Sequence, residues 1–411
     1  MLSAERILER CESLAQHSEL PGGLTRVFLS PQARAATDKV LGWMREAGMQ
    51  AKLDAIGNAG GRYEGNRPGL PCLMLGSHLD TVRDAGKYDG MLGVISAIEC
   101  VSFLNTNNKR LPFAIEVLGF GDEEGVRFGT TLLGSRAVAG TFDLAVLKAK
   151  DPQGKTMADA LREFGLDPEG IPTIARRQGD VLAYAELHIE QGPVLLDLGL
   201  PLGAVLGTFG VERYAITFYG QGAHSGSTPM NRRKDAFLAA AKMSPEIYRI
   251  AERTGGVCTI GSCQTKPGIV TSVVEECRIT LDQRHLDAAA LDRMLQEARE
   301  ASERFAREGN VTVSWERLWR IEPMPFAEKL IDLCDEAIRQ TCGKSHRLPS
   351  GPLHDAAEVA RAGIPTVMMF VQSLHGISHN KIEDTKEEHL ELAVRAFDRL
   401  VSKIIALIAD R

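Results

Sequence analysis

His78, Asp80, Asp89, Glu123 and Glu124 occur in three short motifs: Gly76-Ser77-His78-Leu79-Asp80-Thr81, Tyr88-Asp89-Gly90 and Gly121-Asp122-Glu123-Glu124-Gly125. A lone His-x-Asp is ordinarily a satisfied histidine, and two consecutive acids after a strand are ordinarily a solvated loop. Recurrence changes the reading, because all five residues fall at expected strand ends or in glycine-rich turns of one α/β stretch. Side chains of this kind repel one another unless a cation stands among them. Mixed imidazole and carboxylate ligation suits zinc, manganese, cobalt or nickel better than calcium.

Such a site needs elements that deliver the residues to one place. Leu73 to Leu75 reads as a buried strand that leads to His78, and the apolar run Phe113 to Phe120 leads to the acids. Parallel strands of α/β folds present polar residues at their C-terminal ends, so both runs would open on a common site. Between them, Gly90 to Leu104 has helical periodicity, and Gly90, Gly93, Ser96 and Ala97 are small enough for close packing beneath the site. Ala183 to Gly192 brings His188, and the buried run Thr366 to Phe370 precedes His379.

The remaining pattern divides the chain. Residues 3–17 read as an amphipathic helix, and Ser30-Pro31 caps another that runs to about Ala47. Gln50 to Asp54 and Gly60 to Glu64 read as short strands, and Gly134 to Ala139 and Thr156 to Phe164 as helices. Composition shifts at Gly199 to Gly210. Beyond it come a strand at Glu212 to Tyr219, a helix from about Arg232 to Arg253 and strands around Val257 to Ser262 and Thr271 to Gln283. A helix from about Ala288 to Glu308 and a strand at Val311 to Glu316 complete a ferredoxin-like order. Glu322-Pro323-Met324-Pro325 reads as the return linker to α/β patterning, with helices at Ala327 to Thr341, Ala356 to Ala362 and Lys386 to Ala409. The expected architecture is an α/β catalytic domain with a mixed sheet, residues 1–209 and 326–411, into which an α+β ferredoxin-like domain, residues 210–325, is inserted. That inserted domain is expected to form a homodimer, with Val211 to Tyr219 as the exposed edge that pairs with its copy.

With 411 residues, 44% hydrophobic and 25% charged, the chain is long enough for two domains and a large core. A net charge of -6 and no Lys/Arg cluster exclude a nucleic-acid surface. The segment from Met1 to Arg10 is acidic and amphipathic, not a signal peptide, and the apolar runs are too short to span a membrane. Eight cysteines without a Cys-x-x-Cys pair read as buried thiols of a cytoplasmic protein.

These motifs, together with Glu186-Leu187-His188-Ile189-Glu190-Gln191-Gly192 and Gly376-Ile377-Ser378-His379-Asn380, resemble those of the M20-type metallohydrolases. The match is to the hydantoinase/carbamoylase branch, which contains allantoate amidohydrolases, N-carbamoyl-L-amino acid hydrolases, ureidoglycolate amidohydrolases and β-ureidopropionases. It runs from about Gly23 to about His389. The resemblance implies two divalent ions about 3.5 Å apart that share a bridging carboxylate, Asp89. His78 and His188 would bind one ion, Glu124 and His379 the other. Asp80 would hold the His78 tautomer. The residues alone do not say which of Glu123 and Glu124 is the base; the resemblance makes Glu123 the base and Glu124 the ligand.

The same resemblance assigns His224, in Gly220-Gln221-Gly222-Ala223-His224-Ser225-Gly226, to the oxyanion of the tetrahedral intermediate, often from the neighbouring subunit's lid, and so implies that the inserted domain acts as a lid as well as a dimer contact. Arg284 would grip a substrate carboxylate, for which its planar fork is suited, and Gln191 is a further candidate for substrate contacts. Ser350-Gly351-Pro352-Leu353-His354-Asp355-Ala356 is similar to a family loop that brings His354 to the substrate, although Pro352-Leu353 replaces smaller residues. Ser272 stands where an Asn is usual, and loss of that amide bears on the exact carbamoyl substrate. The implied activity is hydrolysis of a linear C–N bond, N-carbamoyl or ureido, in a small carboxylated substrate. An aminoacylase or dipeptidase of the same superfamily is the alternative, against which His188 counts, because peptidase branches more often have a carboxylate there. A catalytically silent binding protein is disfavoured by retention of every ligand and of Glu123.

Overall fold

The computed structural model describes residues 3–177 and 179–409. Met1 and Leu2, the start of the segment read as acidic and amphipathic, lie outside them. The chain divides into two compact units, Met1–Gly207 with Phe326–Arg411 and Thr208–Pro325.

The first unit is built on a mixed sheet. Ala114–Phe120, Cys72–His78, Val181–Ile189 and Thr366–Val371 lie side by side in that order and run parallel. Cys72–His78, Ala114–Phe120 and Thr366–Val371 are buried at every position, which is why they read as continuous apolar runs. Antiparallel strands extend both sides: Ala59–Tyr63 and then Gln50–Leu53 beyond Ala114–Phe120, and Leu202–Thr208 beyond Thr366–Val371. The Leu202–Thr208 strand lies where the sequence shows only a shift in composition. Pro201, Gly203 and Gly207 interrupt its apolar pattern, and only pairing with Thr366–Val371 reveals it.

Helices of this unit begin where capping chemistry places them. Ser30 accepts the Ala33 N–H at 3.1 Å, and Pro31 fills the first turn of Pro31–Glu46. Met91–Thr106 is buried over most of its length and packs on the Cys72–His78 strand. A Cβ at Gly93 would stand 2.4 Å from the Leu187 carbonyl oxygen, so the helix reaches the sheet only because that side chain is missing. No helix among the described residues is long and apolar enough to cross a membrane.

The second unit is an antiparallel sheet in the order Thr312–Ile321, Gly210–Tyr219, Glu276–His285, Val257–Lys266. Helices Ala236–Thr254 and Ala288–Glu308 pack together on it around Ile216, Phe218, Met243, Ile247, Ile279 and Met294. This is the ferredoxin-like order. The strand containing Val211 to Tyr219 is not an edge: it pairs with Glu276–His285 on one side and Thr312–Ile321 on the other. The edges are Val257–Lys266 and Thr312–Ile321, because strand order follows long-range pairing and not chain order. The expected strand over Thr271 to Gln283 is two pieces, Ser272–Val273 and Glu276–His285, and the first pairs with Ala223–His224.

Candidate metal centre

All four parallel strands deliver residues at their carboxyl ends. His78 is the last residue of its strand, Asp122, Glu123 and Glu124 follow Phe120, His188 is next to last in its strand, and His379 follows Val371 by a short loop. Asp89 comes from the turn before Met91–Thr106. Gly90 in that turn has φ 74, and a Cβ there would stand 2.6 Å from the His78 ring, so glycine is what lets Asp89 reach inward.

Asp89 lies at the centre. Its Oδ1 is 3.2 Å from His188 Nε2 and 3.6 Å from His78 Nε2. Its Oδ2 is 3.7 Å from His379 Nε2, which in turn stands 3.6 Å from a Glu124 oxygen. Of the four candidate ligand groups among the described residues two contain Asp89, His78 with Asp89 and His188, and Asp89 with Glu124 and His379; within each, ligand atoms lie within 4.8 Å of one another. One carboxylate faces both.

The histidines are oriented by main-chain carbonyls. His78 Nδ1 meets the Asp80 carbonyl oxygen at 3.0 Å, and His188 Nδ1 meets that of Ile189 at 2.9 Å. Each ring nitrogen facing a carbonyl must carry the proton, which leaves Nε2 as a lone-pair donor to metal. Asp80 meets the His78 ring through its carbonyl and not through its side chain. Its carboxylate is 3.8 Å from His78 Nδ1, and it accepts instead the N–H groups of Glu123 at 3.0 Å and Glu124 at 3.1 Å. The turn that carries both glutamates hangs on Asp80, whereas its carbonyl sets the imidazole.

Electrostatics test the fit to a cation. Burial pushes the carboxyls of Glu123 and Glu124 well above the usual range, with neighbouring carboxylates adding to it and His78 opposing. Burial alone would raise Asp89 as well, but the neighbouring imidazoles of His78, His188 and His379 outweigh it and hold the group below its usual range. Burial lowers His188 to about 4, so it stays neutral. Glu124 Oε1, Gln191 Oε1 and His354 Nε2 are buried without a hydrogen-bond partner. A neutral His188, crowded carboxylates and orphaned buried oxygens form a donor set that divalent metal satisfies.

Other residues close the site. Gln191 has φ 60, its N–H donates to Ser373 Oγ at 2.9 Å, and its Nε2 lies 3.2 Å from Asp89 Oδ2 and 3.3 Å from Ser378 Oγ. His354 is buried with its ring 4.5 Å from that of His188. Sequence reasoning passed over Glu186 and Glu383. Glu186 accepts from Ser77 Oγ at 2.7 Å and Tyr184 Oη at 2.8 Å; its place two residues before His188, on the same strand face, was the available signal. Glu383 accepts from Ser378 Oγ at 2.6 Å and the His379 N–H at 3.2 Å, and no pattern in the sequence announces it.

Within the second unit, His224 is exposed, and its Nδ1 accepts from the N–H groups of Gly226 and Ser227, both at 3.2 Å. The proton is thereby placed on Nε2, which can donate outward. Ser272 is the ladder partner of His224 and turns its hydroxyl to the Val273 carbonyl. Arg284 is paired with Asp282, Nε to Oδ1 at 2.8 Å, and Asp282 also takes Arg213 Nε at 2.7 Å.

Comparison with known proteins agrees with this geometry. The chain is 39% identical to an N-carbamoyl-L-amino acid amidohydrolase of Geobacillus stearothermophilus over 391 residues, 94% of this chain and 95% of that one. It is 32% identical to an allantoate deiminase of Arabidopsis thaliana, covering 95% and 80%. A hydantoinase/carbamoylase family amidase from Burkholderia multivorans superposes with a TM-score of 0.89 at 32% identity over 98% of both chains. Residues 74–403 match peptidase family M20/M25/M40, and the chain belongs to that family.

Proposed function

We propose that the protein is a dinuclear metal-dependent amidohydrolase that cleaves a linear C–N bond, N-carbamoyl, ureido or a related amide, in a small carboxylated substrate such as an N-carbamoyl-L-amino acid or allantoate. The observation that carries this reading is Asp89 set between two ligand groups with Glu123 beside them. His78, Asp89 and His188 would hold one ion and Asp89, Glu124 and His379 the other. When bound, such ions supply the positive charge that acidifies a water and polarises the scissile carbonyl. Glu123 takes the proton of the attacking water and returns it to the leaving nitrogen. The Nε2–H of His224 donates to the developing oxyanion. The Arg284 fork holds the substrate carboxylate, and Gln191, His354 and Ser272 contact the rest of the substrate.

The inserted domain serves as lid and dimer contact in this reading. Phe237, Leu238 and Tyr248 stand about half exposed on the helix Ala236–Thr254, which packs beside the unpaired edge Val257–Lys266. An apolar helix face next to an open strand edge is suited to a second copy of itself. The eight free cysteines support a cytoplasmic location.

The test is release of ammonia or amino acid from a panel of N-carbamoyl amino acids, allantoate, ureidoglycolate, N-acetyl amino acids and dipeptides, with Mn²⁺, Co²⁺, Ni²⁺ or Zn²⁺ added. Turnover confined to carbamoyl or ureido substrates supports the proposal; turnover confined to dipeptides or N-acetyl amino acids overturns it in favour of a peptidase or aminoacylase.

A further inference from the structure

Arg26 lies in none of the motifs above, in the glycine-rich segment Gly22-Gly23-Leu24-Thr25-Arg26, yet it is fully buried. Burial lowers its pKa only to about 10, so it is a cation in the interior. A buried charge is retained at a cost that an apolar residue of similar size would avoid, and such a residue invites the question of what it holds.

It holds the two peptide units on either side of Asp80. Its Nε donates to the Leu79 carbonyl oxygen at 2.9 Å. Its main-chain N–H donates to Thr81 Oγ1 at 2.9 Å, and its carbonyl accepts the Thr81 N–H at 3.1 Å. The guanidinium also donates to the Leu14 carbonyl at 2.8 Å and lies against Met91 Sδ, two residues beyond Asp89. The contact is part of a longer seam, in which the Ala85 N–H donates to the Leu24 carbonyl and the Asp84 N–H to Thr25 Oγ1. One side chain thus joins the end of the first helix, the Asp80 loop and the start of the helix behind Asp89.

We propose that Arg26 is a positioning residue for the catalytic base and the metal ligands. It fixes Leu79 and Thr81, so that Asp80 between them meets the N–H groups of both Glu123 and Glu124. The inference rests on the proposed hydrolytic site but concerns how that site is held, and it is read out by metal binding as well as by turnover.

The experiment compares Arg26→Lys, Arg26→Met and Thr81→Val with the unaltered protein. Thr81→Val removes the hydroxyl that accepts from Arg26 and keeps the volume. Fold is followed by circular dichroism and denaturant unfolding, metal affinity by Co²⁺ titration against a chelator, ligand geometry by the Co²⁺ absorption spectrum, and kcat and KM on whichever substrate the panel identifies. The expected result is a native circular dichroism spectrum, KM within about 2-fold, and metal affinity and kcat each lowered by roughly 10–100-fold. The Co²⁺ spectrum should change, and Arg26→Lys should be less affected than Arg26→Met. Folded variants with unchanged Co²⁺ affinity and spectrum overturn the proposal, even if total activity falls with the folded fraction. If neither Arg26 variant folds, Thr81→Val decides by the same metal readouts. Co²⁺ readouts need no substrate, so failure of the substrate panel leaves this test intact.

Discussion

Asp80 accepts the main-chain N–H of Glu123 at 3.0 Å, so the candidate base is held by its backbone and its carboxylate is left to act. Replacement of Glu123 by glutamine keeps that hydrogen bond and the shape of the side chain while removing basicity. Glu123→Gln should retain full metal content and lose on the order of 10²-fold or more in turnover. Near-normal turnover at normal metal content would remove Glu123 from that role.

Exhaustive chelation should abolish activity, and reloading should restore it with up to two divalent ions per chain. Because both ligand groups share Asp89, Asp89→Asn should weaken both together, by more than the roughly 10–100-fold that loss of a supporting residue costs. Metal analysis showing one ion retained at full affinity would contradict a bridging carboxylate.

His224 and Arg284 should separate kinetically. His224→Ala removes the proposed oxyanion donor and should depress kcat by roughly 10²-fold or more. Arg284→Lys replaces a planar fork by a point charge and should raise KM for carboxylated substrates alone. Equal loss on charged and uncharged substrates would place Arg284 outside the substrate site.

Light scattering at micromolar concentration should give the mass of a dimer. Phe237→Glu and Tyr248→Glu together place charge on the apolar helix face beside the Val257–Lys266 edge and should yield a folded monomer. A dimer of unchanged affinity would move the contact elsewhere.

Gly90→Ala should be costly out of proportion to one methyl group. The residue has φ 74, and the new Cβ would meet the His78 ring. A loss of about 1–3 kcal/mol in denaturant unfolding is expected, together with weaker metal binding. Unaltered values for both would show that the turn relaxes without disturbing Asp89.

Much of this site could be read from the chain because buried parallel strands are apolar throughout and end in polar residues, as at His78 and at Glu123. The helix cap at Ser30 was an equally local signal. What the sequence hid was long-range. The position of Gly210–Tyr219 inside its sheet depends on partners far along the chain, and all of its residues but Arg213 and Tyr219 are buried there. Asp80 lies so near His78 that a carboxylate–imidazole contact was the natural expectation; the backbone carbonyl, which every residue has, took that place. Arg26 and Glu383 act through contacts with no period or motif.

The strand Thr366–Val371 sits between Val181–Ile189 and Leu202–Thr208 but is made after the whole of Thr208–Pro325. During synthesis the two earlier strands therefore wait with unpaired edges, whereas the inserted unit is contiguous and can complete its own core first. Closing so long a loop is slow, and His379 arrives only with that last segment. A growing chain thus cannot assemble both ligand groups early: the group that contains His379 is completed late, and the exposed edges in the interval are where a nascent chain is open to mispairing.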